Sequence, residues 1–307
     1  SVLGRLGIEP ELPPGEPPAV QYLGGYKFKI GNREVEFGER AFGKTREFYA
    51  ESNFASRKEA ERFVSSLRAV GVDARVVGSE KASYTVRFDS DAFFGLLAAI
   101  NATPPGLTLL YRPKEGDFRV YASVEEGRMR FYFAVKHKGV WKLAEGLYGK
   151  KARSVMLSRA ERDVVEAIRD AVTKALKGLG RPAEVREPEE RVEKGKVKGY
   201  RLSLHGPHIT PFLEHAAEDV RAEPAEVRLE SRRIVVKAGG IEAEVEFKPL
   251  KFGKAEFLLA QDVERTLALY KSLREMGMRA EITPKGVKID GEAMWALVAV
   301  AVERSTP

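Results

Sequence analysis

Residues able to do chemistry cluster in three places along this 307-residue chain. Gly38-Glu39-Arg40-Ala41-Phe42-Gly43-Lys44-Thr45 fits the G-x-x-x-x-G-K-[ST] spacing of a phosphate loop. Such a loop wraps phosphates in backbone N–H groups, places its lysine on them, and runs directly into a helix. Here Thr45–Glu51 reads as a strand, and the matching stretch Lys251–Ala255 lacks the first glycine and the threonine. The pattern therefore predicts a hairpin turn and no nucleotide site. The second cluster is His205, His208 and His215, with Glu214 and Glu218 beside them. Zinc uses these ligand types, but only where two faces converge on one point. His205 falls at a helix start, so capping and turn roles are expected and no metal or cofactor is assigned.

The third cluster carries the stronger functional signal. Between Arg128 and Arg153 stand eight basic residues (Arg128, Arg130, Lys136, Lys138, Lys142, Lys150, Lys151, Arg153) against one acid, Glu145. That segment equals the net charge of the whole chain, +7, so the remainder balances to zero. A localised surplus points to a polyanionic partner more than a diffuse one does. Strand alternation over 128–138 sends Arg128, Arg130, Tyr132, Lys136 and Lys138 to one face and Met129, Phe131, Phe133 and Val135 to the other. A basic, aromatic-bearing face suits phosphate contacts. Lys27 and Lys29 share a strand face near the N-terminus, and Lys248, Lys251 and Lys254 line a strand connection near the C-terminus. The competing expectation is a solvated surface whose cations are balanced by acids on neighbouring strands.

The elements positioning these residues follow from periodicity. Gly31-Asn32 separates two alternating strands, and Ser56 with Glu59 has capping-box spacing before a helix burying Ala60, Phe63, Val64 and Leu67. Strands are predicted at Ala74–Val77 and Tyr84–Phe88, then a helix, Ala92–Ala102, apolar nearly all round. In the middle, Leu107–Tyr111, Phe118–Ala122, Arg128–Lys138 and Val140–Tyr148 read as strands. Ser158–Leu179 reads as a helix capped by Ser158 and Glu161, Arg181–Val185 as a strand pairing with Tyr200–Leu204, and Pro207–Val220 as a helix. Near the C-terminus the order is strands at 232–238, 241–247 and 254–260, a helix at 262–276, short strands around Pro284-Lys285-Gly286, and a helix at 292–303.

A duplication runs through this order. Ser66-Leu67-Arg68-Ala69-Val70-Gly71-Val72-Asp73-Ala74-Arg75-Val76 returns as Ser272-Leu273-Arg274-Glu275-Met276-Gly277-Met278-Arg279-Ala280-Glu281-Ile282. Val86–Phe94 corresponds to Val287–Trp295. Each copy reads as a helix end, a glycine stop and a strand start. The expected organisation is a proline-rich linker over 1–21, an α+β unit over 22–106, a diverged unit over 107–223 and a third over 224–307. Each unit holds antiparallel strands, a helix, two strands and a helix, with one sheet face free.

Pro211–Glu218, Arg221–Val227, Phe257–Val263 and Asp290–Val298 resemble a family of paralogous repeat proteins of thermophilic archaea, the second paralogous repeat, b-type. That resemblance implies an archaeal intracellular protein and carries over no catalytic residue. In topology alone the units are similar to LAGLIDADG homing endonuclease domains, which lay a saddle of strands on DNA and hold metal with acids at paired helix ends. Here only the helix ending in Glu218 and Asp219 carries such acids. Scarce Asn and Gln beside abundant Arg, Lys and Glu agree with a heat-adapted source. Absent cysteine excludes disulfides and thiol catalysis. No apolar run approaches the ~18 residues of a membrane span, and the proline-rich start does not read as a signal peptide. The sequence thus predicts a cytoplasmic, non-catalytic nucleic-acid-binding protein favouring duplex DNA over RNA. Its alternatives are a structural or protein-interaction module tethered to a partner through its upstream segment, or a metal-dependent endonuclease.

Overall fold

Two helix-and-sheet bodies account for the described residues of this computed structural model, namely 17–42, 45–78, 84–114, 116–149, 151–222, 226–230, 233–238, 241–246 and 256–305. The class is α+β with antiparallel sheets, as predicted. The first body comprises the described residues up to Pro104 together with Ala134–Leu143; the second comprises Pro105–Phe133 and Ala144 onward.

The first body opens on a meander, β1 (Val20–Gly24), β2 (Lys27–Ile30) and β3 (Arg33–Glu36). Then come β4 (Gly38–Phe42), β5 (Thr45–Phe54), α1 (Arg57–Ala69), β6 (Arg75–Val77), β7 (Tyr84–Phe88) and α2 (Ser90–Ile100). The meander is one sheet, and β4-β5-β7-β6 is a second. Ser56 caps α1 by accepting from the Glu59 N–H at 3.2 Å. The Glu59 carboxylate turns away to Arg33, so only half of the predicted capping box forms. Asp89 caps α2 through the Ala92 N–H. The all-round apolarity of α2 has its reason in packing, since β1, β5 and β7 all contact it. Phe28, Phe37 and Phe48 place their rings 5.0–5.7 Å from that of Phe93.

The second body holds β8 (Thr108–Tyr111), β9 (Phe118–Glu125), β10 (Arg128–His137), β11 (Val140–Gly149), β12 (Ser154–Arg159), α3 (Arg162–Gly178), β13 (Glu189–Glu193), β14 (Lys196–His205) and α4 (Gly206–Asp219). It continues through β15 (Glu226–Glu230), β16 (Arg233–Ala238), β17 (Ile241–Glu246), β18 (Glu256–Leu258), α5 (Val263–Glu275), β19 (Ala280–Thr283), β20 (Gly286–Ile289) and α6 (Gly291–Ser305). Residues 134–143, the tip of the β10–β11 hairpin, pack with the first body. The sheets are β13-β14-β12-β11-β10-β9-β8, the meander β15-β16-β17, and β18-β20-β19. One order, strand–helix–hairpin–helix with the last hairpin strand in the centre, thus occurs as β5-β7-β6, β12-β14-β13 and β18-β20-β19.

Helices α1, α3 and α5 also end alike. Gly71, Gly180 and Gly277 are left-handed at φ 80, 70 and 78. The next residue's N–H returns to Leu67, Leu176 or Leu273 at 2.9–3.0 Å. Only glycine adopts that conformation without strain.

Three expectations need correction. Ser158 caps no helix: β12 runs through it to Arg159, and α3 begins at Arg162 behind Glu161, which makes no side-chain cap. Alternating burial of Val155 and Leu157 explains why this stretch is a strand. Arg181–Val185 is not a strand; Tyr200–Leu204 pairs along β12, and the other neighbour of β14 is β13, which lies between the two predicted strands. Its run of Glu and Arg disfavours strand on propensity but suits an exposed edge. The predicted linker's end is also structured, since β1 starts at Val20.

Candidate nucleic-acid interface

On β10 the predicted alternation holds for the apolar side: Met129, Phe131, Phe133 and Val135 are buried. Helix α4 lies on that side, with the Phe212 ring 6.4 Å from Phe133 and 6.5 Å from Phe118. Helix α3 contacts β12 and β14. The opposite side of β10 presents Arg128, Arg130 and Tyr132, each half-buried.

These cations are not bare. Arg130 binds Glu125 on β9 and lies 3.6 Å from Glu145 on β11. Partial burial pulls its pKa down, but the hydrogen bond it donates to Glu125 and the charges of both carboxylates outweigh that and raise it. Arg128 stands 3.9 Å from Glu126. The Tyr132 hydroxyl is 3.2 Å from Ser123, and burial pushes its pKa up, so the phenol stays protonated at neutral pH.

Other predicted site residues serve elsewhere. Lys138 is not on the strand face; it is a turn residue at φ 49, followed by left-handed Gly139. A two-residue turn with both φ positive matches the twist of its strands, and that turn ends the alternation at His137. Lys136 is exposed near that turn, its Cε 3.3 Å from where a Cβ on Gly71 would stand. The Lys142 ammonium sits 2.6 Å from Asp73 and 3.5 Å from Asp91, so it braces the first body. Lys27 pairs with Glu36 at 3.4 Å, while Lys29 is exposed on the same strand. Lys151 and Arg153 are exposed in the β11–β12 turn, Arg153 left-handed at φ 51. Lys150, Lys248, Lys251 and Lys254 lie outside the described residues.

Sequence reasoning passed over Arg201. It is exposed on β14, with Ser158 of β12 and Glu189 of β13 as its register partners. Its neighbours Leu202 and Leu204 are buried, so alternation turns Arg201, Ser203 and His205 to the side away from that core. Polar–apolar alternation over 201–205 was the available signal. Met156, paired with Ser203, is exposed on that side too. Ser154 pairs with His205, which brings Arg153 close to the exposed His205 at the start of α4.

The histidines have structural work. His208 accepts the His205 N–H at Nδ1, 3.0 Å, and its Nε2 lies 2.9 Å from the Glu184 carbonyl. His215 lies 5.6 Å from the Tyr111 ring and 3.8 Å from Glu218. Among the described residues no three His, Asp or Glu gather as a metal ion would require. At the C-terminus of α4, Lys271 of α5 donates to the carbonyls of Glu218 and Val220, the charge sign that a helix C-terminus favours. The phosphate-loop pattern lies across the β4–β5 hairpin, in which Phe42 pairs with Thr45. Its Gly43 and Lys44 lie outside the described residues. A strand rather than a helix follows, so the geometry a phosphate loop needs is not met.

No family model, curated protein or solved structure matches this chain.

Among the described residues no helix is long and apolar enough to cross a membrane.

Proposed function

We propose that the second body binds nucleic acid, duplex DNA in preference to RNA, without catalysis. The contact surface is the side of the β12-β14-β13 region opposite its helices, continued onto β10. One observation carries this reading. Arg201 and His205 stand exposed on the side of the sheet opposite buried Val155, Leu157, Leu202 and Leu204, and Lys151 and Arg153 stand exposed in the turn that leads into β12.

Arg128 and Arg130 contribute less than their sequence positions suggest, because a phosphate must compete there with Glu125, Glu126 and Glu145. Affinity from a few phosphate contacts is modest and falls steeply with salt. Little sequence preference follows, because phosphate contacts position a duplex without reading it. The threefold recurrence of one strand order supports descent of the three segments from a single unit, with the middle one specialised for binding.

Fluorescence anisotropy with a labelled duplex tests this. Micromolar binding is expected at ~50 mM salt, lost in large part by ~200 mM. Lys151→Glu with Arg153→Glu, or Arg201→Glu alone, should weaken binding about tenfold, while Lys27→Glu changes little. Absent binding at low salt, or equal binding by all variants, removes the proposal. Cleavage of the duplex with added Mg²⁺ or Mn²⁺ would favour the endonuclease reading.

A further inference from the structure

Within the first body, the β10–β11 hairpin tip seats in the angle between the end of α1 and the start of α2. The Trp141 N–H donates to the Gly71 carbonyl at 2.8 Å. The Leu143 N–H donates to Asp91 Oδ1 at 2.8 Å, and Lys142 reaches Asp73 and Asp91. A Cβ on Gly71 would meet Trp141 Cδ1 at 3.1 Å and Lys136 Cε at 3.3 Å, so the seat is filled tightly.

The duplicated C-terminal stretch supplies the counterpart residues at the end of α5 and the start of α6, and there they are exposed. Gly277, the counterpart of Gly71, has the same φ but no atom within 4 Å of an added Cβ. Glu292, Trp295 and Ala296, counterparts of Asp91, Phe94 and Gly95, are exposed. Phe94 is buried at 5% exposure, whereas Trp295 is 49% exposed and Val302, further along α6, 50%. A large apolar surface on a helix face signals a docking site.

The chain also carries a second hairpin tip of matching form. Lys194-Gly195 turns β13 into β14 with φ 50 and 72, as Lys138-Gly139 turns β10 into β11 with φ 49 and 82. Counting from the turn, Val192, Val197 and Lys198 hold the places of Lys136, Trp141 and Lys142. Val192 and Val197 are cross-strand partners, 56% and 47% exposed. Lys198 is exposed as well.

We infer that the chain self-associates head to tail, with the β13–β14 hairpin tip of one copy seated at the end of α5 and the start of α6 in the next. Val192 and Val197 cover Gly277, Trp295 and Ala296, and Lys198 meets Glu292 as Lys142 meets Asp91. The surfaces joined are different, so the interface is heterologous. It leaves one hairpin and one seat free at the ends of an assembly unless a ring closes.

Sedimentation equilibrium across about 1 µM to about 1 mM tests this with the whole chain. The average mass should rise with concentration past twice that of the monomer. Trp295→Glu alone and the Val192→Glu/Val197→Glu double variant should each stay monomeric, with unchanged circular dichroism and melting. An equimolar mixture of the two should form a dimer and stop there, because one intact hairpin remains to meet one intact seat. A monomeric wild-type chain at every concentration overturns the inference. So does loss of association in Trp295→Glu but not in the hairpin variant, which would mean α6 packing on α6. The chain has no cysteine, so engineered thiols give a second readout. Val197→Cys and Ala296→Cys proteins, mixed under mild oxidant, should form the mixed disulfide dimer faster than either homodimer. Predominant homodimers overturn the inference.

Discussion

Gly71 and Gly277 share a left-handed backbone but not their surroundings, and this separates two costs that a glycine substitution usually mixes. Ala at Gly277 meets only the conformational penalty, about 1–2 kcal/mol. Ala at Gly71 meets that penalty and also crowds Trp141 and Lys136. Urea titration should therefore show Gly71→Ala to be the more destabilising by at least about 1 kcal/mol. Asp91 gives a second prediction. It is 6% exposed and accepts the Leu143 N–H while facing Lys142. Asp91→Ala leaves a buried N–H unsatisfied and should cost about 3 kcal/mol. Asp91→Asn keeps an acceptor, so chemical denaturation should show a clearly smaller loss. The glycine stop was legible from composition and spacing alone. The role of Asp91 was not, because its partner lies 52 residues away on another strand.

At the scale of the element, the start of α4 is held by an imidazole that works only when neutral. His208 Nδ1 accepts a backbone N–H, and a proton there would set two donors against each other. Burial lowers its pKa below the usual histidine range, with His205 adding to the effect and the bond to Glu184 opposing it. A depressed folded-state pKa means that the unfolded chain binds more protons as pH drops below about 6.5. This contribution to stability is thus fully present above that pH and is lost on acidification towards the folded pKa. The urea midpoint should fall between about pH 7 and pH 5, and His208→Asn should flatten that slope. Strand β13 teaches a related lesson. Its glutamates argue for loop when read alone, and only pairing to β14 makes them an edge strand. The end of α3 shows the reverse: Leu176-Lys177-Gly178-Leu179-Gly180 repeats the leucine, base and glycine of the other two stops. It was present in the sequence as a signal for the third recurrence.

For the whole molecule, charge and apolar exposure lead to separate predictions. The proposed nucleic-acid binding involves cations around β12 and β14, and the inferred self-association the β13–β14 tip and α6. Trp295→Glu should abolish association yet leave duplex affinity per chain within about twofold at low protein concentration, measured by anisotropy. Lys151→Glu with Arg153→Glu should do the opposite. Joint failure of both properties in one well-folded variant would mean that a single surface serves both.

Periodicity and turn chemistry by themselves determined the α+β class, the helix cap at Ser56, the glycine stops and the apolar side of β10. These are local, since neighbouring residues along the chain supply the decisive interactions. Only the tertiary structure decided which cations remain available. Arg130 lies between carboxylates of two other strands, Lys142 is held by Asp73 and Asp91, and Arg201 is displayed by the burial of Leu202 and Leu204. Whether a charge meets solvent or a counter-charge depends on residues distant in sequence, and so on strand pairing that no local pattern encodes.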